Sequence, residues 1–413
     1  MGAEGVPLIV KAFREETDRT TRLEALAALR AMEKLTEEGM TVLPEALTDR
    51  DSSIRIAAVR VLVYRSERAA EAAPLLLSAL GRETDADAKR LLADGVANLA
   101  GYLARRSKVS IEAVTPLIRL LEHEENPLLR ESFALALGRL GPDAKPAVAT
   151  LARCLQDPDS SVRFRGAEAL ARIGPAAADA VPALLAAFRA YRPDDRCTVV
   201  KALAEIAPNA EGVASVLVEA LSNRNYMTRG HAVAGLRQLQ DVRVAVPALE
   251  RAVRDRHWDV REEALRALAK FGREAASATP TIVEALRDER ASVRSRAVRS
   301  LGATCPDAGL LVRCLVSTLK DAAPEVRYSS AFILGERGRE AARALPALTE
   351  ALEDSYSGIR KCSAEALGKM GPAAAPAVPA LKRALDDKVE DVRIAAARAL
   401  RLIQHAAEGD SQE

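Results

Sequence analysis

One spacing constrains this chain more than any other feature. An apolar residue followed by Arg occurs at Ile54-Arg55, Leu129-Arg130, Val162-Arg163, Val260-Arg261, Val293-Arg294, Val326-Arg327, Ile359-Arg360 and Val392-Arg393. The same register runs through looser matches at Thr21-Arg22, Ala88-Lys89, Asp195-Arg196 and Thr228-Arg229. Successive marks lie 33, 34, 41, 33, 33, 33, 32, 33, 33, 33 and 33 residues apart. A period of this length means one supersecondary unit repeated, each too small to bury its own apolar face and dependent on its neighbours.

Each unit reads as helix-turn-helix. Eight residues after the mark stands Leu (Leu29, Leu62, Leu137, Leu170 and so on to Leu400) or, once, Val96. With apolar or small residues at offsets 0, 4, 5 and 7 as well, these positions share one helix face. Hydrophobic residues make up 49% of the 413 but aromatics only 3%, so the interior must be Ala, Leu and Val, which lets helices approach closely. The first helix of each unit carries runs such as PALTEAL from Pro346 and PALKRAL from Pro379, and Pro116, Pro182, Pro247 and Pro280 hold the same place. A first helical turn accepts proline because its N–H has no partner there. Gly-Pro at 141–142, 174–175 and 371–372 supplies a cap and a stop. The expected fold class is all-α, an α-solenoid of about twelve helical hairpins of ~33 residues. One solenoid is expected over 1–405, with a longer connection near 100–111 and a polar tail at 406–413.

The Arg of each mark falls in the first turn of the second helix, where the helix dipole favours anions. Six residues earlier, in the turn between the helices, runs an acidic row: Glu16, Asp49, Glu83, Glu124, Asp157, Asp255, Asp288, Asp321, Asp354 and Asp387, interrupted by Ala190 and Asn223. A carboxylate can take both prongs of an Arg fork. The two rows are therefore expected to form a structural ladder from hairpin to hairpin, with Arg55, Arg163, Arg261, Arg294, Arg327, Arg360 and Arg393 as rungs.

Stretches such as DSSVRFRGAEALARIGP and EDVRIAAARALRLI resemble HEAT repeats, of the short subtype also found in phycobilisome lyase subunits. The resemblance covers about Pro7 to Gln404. It implies a right-handed superhelix with the second helices lining a concave face, and an inter-repeat ladder made of the Asp and Arg rows. It is far more specific for fold than for function.

Nothing in the residues composes a catalytic, metal or cofactor site. The four histidines, His123, His231, His257 and His405, are scattered, and there is no glycine-rich phosphate loop or Cys/His cluster. The five cysteines are widely spaced and expected to be reduced thiols. The N-terminal apolar run is short for a signal peptide and no membrane partner is expected, so the reading is a cytoplasmic, non-enzymatic protein. Binding is the expected role, in a scaffold or adaptor that holds a protein partner on the concave surface. Candidate partner-binding residues are Tyr226, His257, Trp258, Phe164, Tyr328, Phe332, Arg266 and Arg299, since aromatic and Arg side chains concentrate at interface hot spots. Two alternatives stand beside it. Residues 221–301 hold 16 basic against 10 acidic side chains, leaving Arg254, Arg256, Arg266, Lys270, Arg296 and Arg299 to form a stripe for nucleic acid. A bilin lyase-like role rests on the repeat subtype alone.

Overall fold

A computed structural model describes residues 3–63, 69–103 and 109–409. Every regular element among them is helical. The chain divides into two compact units, Met1–Val216 and Leu217–Glu413. Within each, helical hairpins follow one another, and the second helix of each hairpin packs against the second helix of the next. In the first unit these second helices include Arg19–Ala31, Ser52–Val63, Ala86–Leu103, Pro127–Arg139, Ser160–Ile173 and Cys197–Ile206. In the second they are Tyr226–Leu236, Trp258–Phe271, Ala291–Thr304, Pro324–Arg337, Ser357–Met370 and Glu390–Gly409.

The small-residue bias in the sequence has a direct structural use. A Cβ placed on Gly138 would lie 2.8 Å from the Ala169 Cα, and one on Gly368 would lie 2.9 Å from the Ala399 Cα. Gly335 faces Ala366 in the same way, at 3.2 Å. Neighbouring second helices therefore meet backbone to backbone, through glycine on one and alanine 31 residues later on the other. Above and below this contact lie fully buried leucines of the eighth position, such as Leu137, Leu170, Leu334 and Leu367. Burying each contributes roughly 1.5–3 kcal/mol.

Second helices commonly end on glycine at positive φ: Gly174 at 70°, Gly272 at 56°, Gly338 at 51° and Gly371 at 61°. The chain then runs on without a loop into one 3-10 segment, such as Gly174–Ala180 or Gly371–Ala377, and so into the next first helix. This break matters for Ser160–Ala190, whose length and apolarity would otherwise suit a membrane span. Positive φ at Gly174 ends the second helix of one hairpin, and the segment Gly174–Ala180 separates it from the first helix of the next, Val181–Ala190, so the stretch is not one rod.

The proline expectation changes. Pro182, Pro280, Pro346 and Pro379 do sit in first turns, but Pro116 and Pro247 lie inside helices Val109–His123 and Val242–Val253. In the last of these, Asp241 accepts a hydrogen bond from the Arg243 N–H, and that cap starts the helix well before the proline. At the C-terminus the final helix continues to Gly409, past the point where a polar tail was expected to begin. The long connection is bounded by helices ending at Leu103 and beginning at Val109, and its centre lies outside the described residues.

Candidate partner-binding surface

The turns between first and second helices carry a repeated arrangement. In the first unit, Arg130 donates from Nε and Nη2 to the two carboxylate oxygens of Asp157, at 2.8 and 3.0 Å. Its Nη1 donates to the carbonyls of Glu124 and Glu125, in its own turn. Asp157 in turn accepts the Asp159 N–H at 2.9 Å. The same fork joins Arg55 to Glu83, Arg229 to Asp255, Arg261 to Asp288, Arg294 to Asp321, Arg327 to Asp354 and Arg360 to Asp387. Arg22 pairs with Asp49 and Lys89 with Glu124 through simpler contacts. Each forked Arg thus binds its own turn through carbonyls and the following hairpin through the carboxylate.

The pairs are largely buried; Arg360 and Asp387 are 7% and 11% exposed. Burial pushes the Asp157, Asp321 and Asp354 carboxyls up, but the facing Arg fork and the turn N–H outweigh it and hold each below the usual carboxylate range. At Asp387 the Arg360 fork dominates and lowers the value to about 2. Three positions depart from the pattern. Arg196 donates to the Tyr191 carbonyl and has Asn223 where the next carboxylate would stand. Among the described residues, Arg393, in the last hairpin, donates to the Asp387 carbonyl alone. Arg163 donates to the carbonyls of Asp157 and Pro158, both at 2.8 Å, but residue 190, where the next carboxylate would stand, is Ala.

The aromatic candidates are exposed. Tyr226 and Trp258, at 41% and 39%, begin adjacent second helices of the second unit. The His257 ring stacks on Tyr226 with centroids 3.9 Å apart and lies 5.8 Å from Trp258. The Arg290 guanidinium stands 5.9 Å from the Trp258 ring, within cation–π range. Four groups from three successive turns therefore form one continuous patch. Arg290 was not anticipated; its signal was its place just before its helix, where His257 and Asn225 stand in the two preceding hairpins. Tyr328 and Phe332 lie one turn apart on Pro324–Arg337, both exposed, with the Tyr328 ring against Gly358 of the next helix. Phe164 is exposed in the first unit, its ring beneath the Arg165 guanidinium. Tyr356, more exposed than any of these, was also missed, and the Arg327 guanidinium approaches its ring to 5.9 Å.

The basic candidates are not free. Arg254 pairs with Glu284 at 2.7 Å, Arg266 with Glu263 at 2.7 Å and Arg296 with Glu262 at 3.4 Å. Arg256 and Lys270 donate to the carbonyls of Arg224 and Arg237, and Arg299 to the Ser329 hydroxyl. Arg254, Arg266 and Arg296 are thus paired with carboxylates, whereas Arg256, Lys270 and Arg299 have neutral acceptors and keep their charge. Cys154, Cys305 and Cys362 are buried free thiols. Burial pushes Cys154 up to about 11 and Cys362 to about 12, which keeps those two protonated.

A family profile described as HEAT repeats matches residues 114–191, 181–259, 246–310 and 312–401. No curated protein matches the sequence. Among solved structures, the chain is similar to Kap95p as seen with RanGDP, at 14% identity and a TM-score of 0.59, over 98% of this chain and 61% of that one. It is equally similar to Kap95 in its complex with Nup1. It is also similar to Kap121p bound to Ste12p, at 17% identity and a TM-score of 0.56, over 98% of this chain and 49% of that one. The chain thus spans about half to three fifths of the length of these structures. At such identities the likeness is one of fold, an all-α solenoid.

Proposed function

The chain belongs to the HEAT-repeat family, and from that premise we propose that it is a non-enzymatic scaffold that binds a protein partner along the exposed side of its second helices. The observation that carries this reading is the Tyr226–His257–Trp258–Arg290 patch. Large rings left in solvent on a chain with so few aromatics are costly unless a partner covers them, and aromatic and Arg anchors dominate interface energies. The similar structures, in which Kap95p is seen with RanGDP, Kap95 with Nup1 and Kap121p with Ste12p, support the same class of function.

The test is an affinity capture from native extract with the wild type and the Tyr226→Ala, Trp258→Ala double variant, at low and moderate salt. A polypeptide retained by the wild type at moderate salt and lost from the double variant is the expected result. Nucleic acid that washes off with salt and ignores both substitutions would overturn it. The nucleic-acid alternative is disfavoured by the pairing of Arg254, Arg266 and Arg296 with glutamates. The bilin lyase-like alternative gains no support, since the family match is to HEAT repeats in general.

A further inference from the structure

The interrupted ladder at Arg163 leaves a receptor without its ligand. In seven other turns the Nε–Nη2 edge of the Arg fork holds a carboxylate of the following hairpin. In Arg163 the Nη1 is anchored as in those turns, on the Asp157 and Pro158 carbonyls, while the Nε–Nη2 edge has no acceptor among the described residues. The fork is therefore fixed in the orientation that binds carboxylate elsewhere in this molecule. In place of the acid lies a cleft of about 740 Å³ walled by Ala183, Ala186, Ala187, Ala190, Tyr191 and Arg192. The corresponding clefts where the carboxylate is present measure about 270 Å³ at Arg55 and Glu83 and about 550 Å³ at Arg130 and Asp157.

The floor of this cleft is hydrogen-bonded in place. Tyr191 donates its hydroxyl to the Leu155 carbonyl at 2.5 Å, and its ring centroid lies 5.5 Å from the Arg163 guanidinium. Burial pushes the Tyr191 phenol up to about 12, so it stays neutral. Its charges suit a singly charged guest. Arg163 and Arg192 offer two cations, while Asp157, already held by Arg130, and Asp195 also line the cleft and oppose a doubly charged one. The volume exceeds that of a lone carboxylate several times over and leaves room for a side chain with its flanking backbone.

We propose that the Arg163 cleft binds an aspartate or glutamate side chain from an acidic segment of a partner polypeptide, which completes the missing rung from outside. The proposal rests on the scaffold reading for the source of the carboxylate, and on the geometry at Arg163 for the site.

The test is fluorescence anisotropy of a labelled, terminally capped hexaglutamate peptide on the full chain. The wild type is compared with Arg163→Gln and with Ala190→Asp, which returns a carboxylate to the place it holds in other hairpins. The expected result is binding to the wild type and at least tenfold weaker binding to both variants, with Ala190→Asp also melting higher. Ala190→Asp keeps the test meaningful if Arg163→Gln folds poorly. Absence of binding to the wild type, or affinity in either variant within twofold of wild type, overturns the proposal. Displacement of the peptide by equimolar acetate or inorganic phosphate overturns the polypeptide source. If the peptide fails while the capture experiment still yields a partner lost from the Tyr226, Trp258 variant, the cleft is wrong and the scaffold reading stands.

Discussion

A cation in the first turn of a helix is unfavourable by the dipole, and the geometry shows what compensates it. The guanidinium of Arg327 gathers two carbonyls of its own turn and both oxygens of Asp354. Removing one partner of a largely buried pair leaves the other charge stranded, so Arg327→Ala should cost about 3 kcal/mol. It should lower the denaturant midpoint without changing partner capture. Unchanged stability with lost binding would contradict the structural role of that residue. The acid side gives a pH signature. Unfolded, Asp387 titrates near ~3.9; folded, Arg360 holds it at about 2. A lowered folded value stabilises above the unfolded one, and the contribution disappears as pH falls through the folded value. Asp387→Asn should thus melt below wild type at pH 7, with the gap closing between about pH 4 and pH 2.

At the level of elements, glycines of the same chemical type have opposite meanings. Gly368 touches the backbone at Ala399, so Gly368→Val should cost about 1–3 kcal/mol by overpacking. Gly230 has nothing within 4 Å and sits within helix Tyr226–Leu236, so Gly230→Ala should raise stability by about 0.5–1 kcal/mol through helix propensity. Calorimetry on the two variants checks both signs. These contrasts also mark what the sequence reveals. Periodicity places the helices because the apolar face must recur at the helical period, and it places the acidic and basic rows as rows. It misplaces the start of the helix around Pro247, because the Asp241 cap outweighs the proline signal. It leaves Arg254, Arg266 and Arg296 looking free, because their glutamate partners lie either on a neighbouring hairpin or one turn away on the same helix. The Tyr226–Trp258 proximity is visible from their shared offset, whereas the exposure of Phe164 depends on which neighbour covers it.

For the molecule as a whole, stability is a sum over hairpins and their interfaces rather than the property of one core. Arg130→Ala in the first unit and Arg327→Ala in the second share no partner, so their losses should add to within about 0.5 kcal/mol in a double variant. A shortfall larger than that would reveal coupling beyond nearest neighbours.

The fork of Arg327 reaches Asp354, only 27 residues downstream, and Arg130, Arg261, Arg294 and Arg360 reach forward by the same distance. A bond over so short a loop costs little closure entropy, and a chain of such bonds has low contact order, the condition for rapid folding. Each rung also points from an earlier residue to a later one. During synthesis, then, every Arg waits for fewer than thirty further residues before its acid emerges, and the ladder can close in the order in which the ribosome delivers it.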